Sequence, residues 1–236
     1  MAADGPPLGG RRALVTGASR GIGRAVAVAL ARAGATLTLV ARDQNRLAPL
    51  AAELGASAVA CDVGSETALE HLLDTFREAP DILVNNAGLF ELARVDAMSS
   101  SAFENALTTN LLAPFRLIRA FVPTMRQRGR GDIVSIGSIA DHATFPENGA
   151  YAASKHGLRA LHDVLRAELR DSGVRVTLVS PGPVDTPLWD PIGPDTREGF
   201  TPRARMLSPD AVAAAVLFAV TQPADVNVEL VRLSHS

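Results

Sequence analysis

Lysine is almost missing from this chain: of 23 lysines and arginines, one is a lysine, Lys155. Tyrosine, tryptophan and cysteine are also reduced to one residue each: Tyr151, Trp189 and Cys61. A lone cysteine excludes an intramolecular disulfide and suits a reducing compartment. Long apolar runs are lacking too. The longest uncharged one, Ala211 to Val220, falls short of the roughly 20 residues that cross a bilayer. Residues 1–10 hold Pro, Gly and Asp4 but no apolar centre, so they do not read as a signal peptide. They read as a flexible leader before a single domain over 11–236, and a cytoplasmic location is expected. Excess charge is absent. A formal net charge of -2 and a pI near 6.2 give no electrostatic basis for binding nucleic acid or an anionic membrane. The five histidines show no ligand spacing with one another or with Cys61, so no metal site is expected.

What is present is an alternation. The 236 residues, 47% of them hydrophobic, suffice for one buried core. Short apolar runs alternate with longer amphipathic stretches, the pattern of βαβ units on a parallel sheet. Strands are expected at 13–15, 36–40, 58–60, 82–84, 132–136 and 174–179, with a possible edge strand at 226–231. Helices are expected at 21–33, 44–54, 66–77, 100–128, 151–171 and 209–220. Pro114 and Pro123 are expected to kink or break the fourth of these. Residues 181–207 are rich in Pro and Gly and read as one long loop, a length often met in functional lids.

The first strand runs into Thr16-Gly17-Ala18-Ser19-Arg20-Gly21-Ile22-Gly23. Three glycines between a strand and a helix let the backbone approach a pyrophosphate seated on the helix N-terminus. Glycines alone are also compatible with a tight turn and no ligand; the strand–turn–helix context points to a dinucleotide. After the second strand, an acidic residue holds the ribose 2′-hydroxyl of NAD, whereas an arginine accommodates the 2′-phosphate of NADP. This chain has Arg42 there and Arg20 in the turn, so NADP(H) is expected. Asp43 reads as the N-cap of the next helix.

The single lysine stands four residues after the single tyrosine, in Tyr151-Ala152-Ala153-Ser154-Lys155. On a helix that spacing puts both on one face. An ammonium is a point charge that can sit beside a phenol, unlike the planar guanidinium fork. Such a cation is expected to lower the phenol pKa, readying it to give or take a proton. Ser138 invites comparison with a serine hydrolase, but Ser135-Ile136-Gly137-Ser138-Ile139 is not a Gly-x-Ser-x-Gly elbow.

Together these motifs resemble the short-chain dehydrogenase/reductase family over roughly Arg11 to Ala219. The glycine turn is similar to its cofactor turn, with Gly17, Ser19, Arg20, Gly21, Ile22 and Gly23. Asp62-Val63 resembles its adenine contact, and Asn85-Asn86-Ala87-Gly88 its motif after the fourth strand. Pro181-Gly182-x-Val184-x-Thr186 resembles its nicotinamide-side loop. The resemblance implies an α/β fold with one Rossmann-type doubly wound parallel sheet of about seven strands, helices on both faces. It also implies an active-site set of Asn110, Ser138, Tyr151 and Lys155. Tyr151 would be general acid or base, Ser138 would hold the substrate oxygen, and Lys155 would tune the phenol and bind the nicotinamide ribose. Asn110 would hold a proton-passing water, and Thr186 with the Val184 backbone would orient the carboxamide. The expected reaction interconverts a small ketone or aldehyde and an alcohol with NADPH. A non-catalytic NADP(H)-binding sensor is the alternative. Within enzymes, a serine-type 3-hydroxy-acid dehydrogenase stands against a 3-ketoacyl-type or general carbonyl reductase. The short C-terminus is similar to the serine-type branch. The family's dimer helices match 100–128 and 151–171, implying a homodimer or homotetramer.

Substrate choice is expected from residues 139–150, 89–94 and 185–207. Trp189, Phe200, Met206 and Leu207 stand in the last of these, and Phe145 in the first. Trp189 reads equally as a lid over substrate or an anchor for the loop. Arg197, Arg203 and Arg205 are the loop cations open to a carboxylate substrate.

Overall fold

Strands that read as unbroken apolar runs are strands buried on both faces. The computed structural model describes residues 5–236 and bears this out. The chain runs β1 (Arg12–Thr16), α1 (Gly21–Arg32), β2 (Thr36–Ala41), α2 (Gln44–Leu54), β3 (Ser57–Ala60), α3 (Glu66–Asp74) and β4 (Ile82–Asn85). It continues with α4 (Ser100–Leu107), α5 (Ala113–Gln127), β5 (Gly131–Ile136), α6 (Gly149–Glu168), β6 (Val174–Pro181), α7 (Pro209–Val220) and β7 (Leu230–Leu233). All pairings are parallel, in the order β3-β2-β1-β4-β5-β6-β7. Every residue of β4 and β5 is buried, whereas the edge strands β3 and β7 have none.

One core lies between the sheet and α1, α2 and α7, around Val26, Leu30, Leu47 and Val216. The other lies between the opposite face and α3, α5 and α6, around Leu72, Leu117, Met125 and Leu165. This is the expected doubly wound α/β sandwich. Strand order reverses between β1 and β4, so the ligand crevice opens at the C-terminal ends of these strands.

Four expectations are corrected. Of the expected leader, residues 1–4 lie outside the described residues. Residues 7–10 form turns, Leu8 is 1% exposed, and its N–H donates to Ala33 O at 2.8 Å. The helix expected over 100–128 is two α-helices joined by a π-helical turn, Thr108–Leu112. Pro114 sits in the first turn of α5, where its missing N–H costs nothing, and α5 continues through Pro123. The edge strand begins at Leu230 rather than residue 226, because Oδ1 of Asn227 accepts from Val176 N (3.1 Å), a backbone donor of β6. The loop after β6 carries two short 3₁₀ turns and is pinched at its base. Leu207 N donates to Pro183 O and Asp185 N to Leu207 O, both at 2.9 Å.

Candidate active site

The cofactor turn is built by what glycine permits. Gly17 and Gly21 adopt φ of +66° and +54°, a region that disfavours side chains. Gly23 has a different task. A Cβ there would meet Gly17 O at 2.3 Å, so its lack of a side chain lets α1 pack on the turn. Thr16 Oγ1 accepts from the N–H of Asn86 (3.0 Å) and Ala87 (3.1 Å). The Asn86 carboxamide donates to Thr16 O (2.9 Å) and Gly17 O (3.2 Å). That side chain braces the turn. Helices α2, α3, α4 and α7 begin with side-chain caps from Asp43, Ser65, Ser99 and Ser208. Helix α1 begins at Arg20 with no side-chain cap and no acid in its first turn, so its N–H groups remain available to an anion.

Arg20 and Arg42 are exposed and, among the described residues, neither makes an ion pair. Arg46 beside them is engaged by Asp43 at 3.1 Å. Asp43 is the N-cap expected of it, accepting from Arg46 N at 3.2 Å. Two uncommitted guanidinium groups beside an uncapped helix fit a phosphorylated dinucleotide. A cleft of about 890 Å³ runs from these groups to Tyr151, the size of a ligand pocket. It is lined by every expected site residue except Gly23 and Asn110.

At its far end stands Tyr151, half-buried in the first turn of α6. Ser138, at the exit of β5, lines the same cleft, and its side-chain Oγ accepts from Ala140 N at 3.1 Å. Lys155 is 5% exposed, donates to Ile136 O at 2.8 Å, and has its ammonium 5.5 Å from the phenol ring centre. The expected lowering of the phenol pKa is corrected. Burial pushes it up to about 12, against an opposing effect of the nearby Ser138 hydroxyl. Burial also pushes Lys155 down to about 8. Desolvation disfavours the charged form of each and is the largest cause of both shifts.

Asn110 lies in the π turn, 1% exposed. Such turns recur at functional sites. Its amide donates to Leu89 O (2.9 Å) and Ser154 Oγ (3.0 Å), and its oxygen accepts from Leu89 N (2.7 Å). Ser154 Oγ in turn donates to Tyr151 O at 2.7 Å. The side chain therefore ties the segment after β4 to the first turn of α6, and among the described residues no hydrogen bond joins it to Lys155.

Asp141 is a site residue absent from the expected set. It is 1% exposed, directly behind Ser138. Its Oδ2 accepts from Ser180 Oγ and, at 3.4 Å, from Ser138 N; His142 Nδ1 lies 2.6 Å from Oδ1. Its charge raises the pKa of both Tyr151 and Lys155. The available signal was the Ser138-x-x-Asp141 capping-box spacing. Phe90 was likewise unremarked: its ring meets Tyr151 at 4.8 Å and Trp189 at 5.1 Å, edge to face in both cases. Trp189 both anchors and lines: its Nε1 donates to Val184 O at 3.0 Å while the ring faces the cleft. Phe145 and Phe200 line the cleft, whereas Met206 is buried and does not.

Comparison with known proteins agrees with this architecture. The family model described as short chain dehydrogenase matches residues 11–197. A D-threitol dehydrogenase of Mycolicibacterium smegmatis is 35% identical over 229 residues, covering 92% of this chain and 88% of its own. A metagenomic short-chain oxidoreductase solved in complex with NADP superposes with a TM-score of 0.81 at 32% identity, covering 98% of this chain and 100% of that one. A serine dehydrogenase complexed with NADP+ gives 0.85 at 31% identity, covering 94% and 93%. Glycine turn, sheet order and these likenesses converge: the chain belongs to the short-chain dehydrogenase/reductase family, whose members include NAD(P)-dependent oxidoreductases.

Proposed function

We propose that the protein is an NADPH-dependent oxidoreductase that interconverts a ketone or aldehyde and an alcohol. The observation that carries this reading is the single cleft joining uncommitted Arg20 and Arg42 at one end to the Ser138–Tyr151–Lys155 cluster at the other. NADP-bound structural neighbours support it. When bound, reduced nicotinamide supplies the hydride.

The chain supplies the rest. Gly17, Ser19, Gly21 and Ile22 would present backbone to the pyrophosphate, and Arg20 and Arg42 would hold the 2′-phosphate. Asp62 and Val63 would border the adenine, and Ala87 and Gly88 line the same cleft. Pro181, Gly182, Val184 and Thr186 would flank the nicotinamide, and Lys155 would bind its ribose. Ser138 and Tyr151 hydrogen-bond the substrate oxygen, and Tyr151 gives it a proton as negative charge develops there. A phenol kept protonated by burial suits that donation. Asn110 positions the segment carrying Leu89 against α6. The balance is one carbonyl, one hydride and one proton for one alcohol. A homodimer or homotetramer belongs to the same reading, supported by exposed Phe103, Leu112 and Phe115 on α4, the π turn and α5, and by Val164 on α6.

The test follows NADPH absorbance against a panel of ketones and aldehydes. Tyr151→Phe is expected to remove about 10²–10⁴-fold of the rate while leaving NADPH affinity nearly unchanged. Arg42→Ala is expected to weaken NADPH binding and spare NADH. Substantial turnover in Tyr151→Phe, or equal losses for both cofactors in Arg42→Ala, contradicts the corresponding assignment.

A further inference from the structure

A run of aromatic rings lines the cleft beyond Tyr151. Phe90 packs edge to face on Tyr151, Trp189 on Phe90 at 5.1 Å, and Phe200 on Trp189 at 6.3 Å. Phe145 lines the same space and is 47% exposed. The polar edge of Trp189 is satisfied by Val184 O, so the indole offers the cleft an apolar ring.

Of the loop cations that could have met a carboxylate, Arg205 is exposed and does not line the cleft, and the other two are already engaged. Arg197 pairs with Glu147 and lies over the Phe200 ring at 4.8 Å. Arg203 donates to Asp185 and Asp190, both at 2.6 Å, with Asp195 at 3.8 Å. Lys155 is turned to Ile136 O. Arg20 and Arg42 belong to the cofactor's phosphate. Glu198 lines the cleft, so an added anion meets like charge there. The buried polar atom of this wall without a partner, Oδ1 of Asn148, belongs to a neutral side chain.

We propose that the substrate half of the cleft takes an uncharged carbonyl compound with an aryl or similar planar apolar group beside the carbonyl, and discriminates against carbonyl compounds bearing a carboxylate. This rests on the reductase reading above. It separates the chain from its structural neighbour, the serine dehydrogenase, in substrate class. The ring lies against Phe90 and Trp189, with the carbonyl oxygen at Ser138 and Tyr151.

Four substrates isolate ring and charge: ethyl phenylglyoxylate, phenylglyoxylate, ethyl pyruvate and pyruvate, each with NADPH and the full chain. Ethyl phenylglyoxylate, with phenyl on the ketone carbon, is expected to exceed ethyl pyruvate, with methyl there, by about 10-fold in kcat/KM, the order of one or two aromatic contacts. Each ester is expected to exceed its acid by about 10-fold or more, through like-charge repulsion and an unmatched buried anion. Trp189→Leu is expected to pull the phenyl-to-methyl ratio toward one. Trp189→Phe, which keeps an aromatic ring, is expected to retain part of it.

A second readout needs no turnover. Trp189 is the single tryptophan, so its fluorescence reports on the site. With NADP+ bound, ethyl phenylglyoxylate is expected to quench it saturably, and pyruvate to leave it unchanged. Tyr151-dependent turnover that favours the acids, or is indifferent to the ring, overturns the substrate class and leaves the reductase reading standing. Saturable quenching without turnover of any of the four overturns the reductase reading and leaves the aromatic site. Neither quenching nor turnover overturns both.

Discussion

The two ends of the sheet handle charge in opposite ways. At the N-terminal ends of the strands, Asp132 accepts from Arg175 Nε at 2.7 Å and pairs with Arg11. Asp81 accepts from Arg12 N at 2.8 Å and lies 3.3 Å from the Arg128 guanidinium. Both carboxylates are buried, and arginine forks close around them. At the C-terminal ends, the buried cation is an ammonium with one carbonyl acceptor, and Arg20 and Arg42 stand without ion pairs. Paired charge at one end holds strands and helix ends together. Uncommitted donors at the other await a ligand. The difference separates buried charge that serves the fold from buried charge that serves chemistry, a separation burial alone does not make.

Lys155→Arg tests this contrast most severely. A guanidinium is larger and planar, and Lys155, which donates to Ile136 O, is 5% exposed. The replacement keeps charge but displaces the exit of β5, where Ser138 sits. The expected loss in kcat is about 10²-fold or more, within the range of acid–base contributions. A rate near wild type erases the distinction between the two ends.

Asp132→Ala breaks the other side. It leaves the guanidinium of Arg175, whose side chain is 11% exposed, without its carboxylate. Breaking a buried pair from one side costs about 3–5 kcal/mol. The urea midpoint is expected to fall accordingly, with kcat per folded molecule unchanged, because Asp132 does not line the cleft. Loss of kcat without loss of stability would make the lower end functional as well.

The same contrast marks how much was legible in the sequence. Strands β1, β4, β5 and β6 stood out because burial on both faces demands apolar runs. Edge strand β7 was misplaced because its start is set by Asn227 meeting β6, a contact across 51 positions. The glycine turn, Tyr151, Lys155, Ser138 and Arg42 were legible because their chemistry needs particular residue types at particular spacings. The π turn holding Asn110 carries no sequence mark. The phenol pKa was misjudged because desolvation depends on tertiary burial, which a four-residue spacing does not report. Asp141 escaped because its burial depends on Ser180, 39 residues away.

Asp141 is the exception that sharpens the comparison, a buried carboxylate at the upper end with no arginine on it. Its partners are Ser180 Oγ, the Ser138 N–H and His142 Nδ1. Among titratable groups, helix α6 brings Tyr151 and Lys155 within its field, and both are raised by it. Asp141→Asn keeps shape and removes charge, so both pKa values are expected to fall. Reduction needs the phenol protonated and is lost as pH rises through the phenol pKa, so its basic limb moves to lower pH. Oxidation needs the phenolate and is gained through the same pKa, so its acidic limb moves to lower pH as well. Limbs that stay in place while kcat falls make Asp141 a brace for the Ser138 turn, like the carboxylates at the lower end. Limbs that move down together make it part of the proton chemistry, and place the boundary between the two kinds of buried charge within the sheet's upper edge.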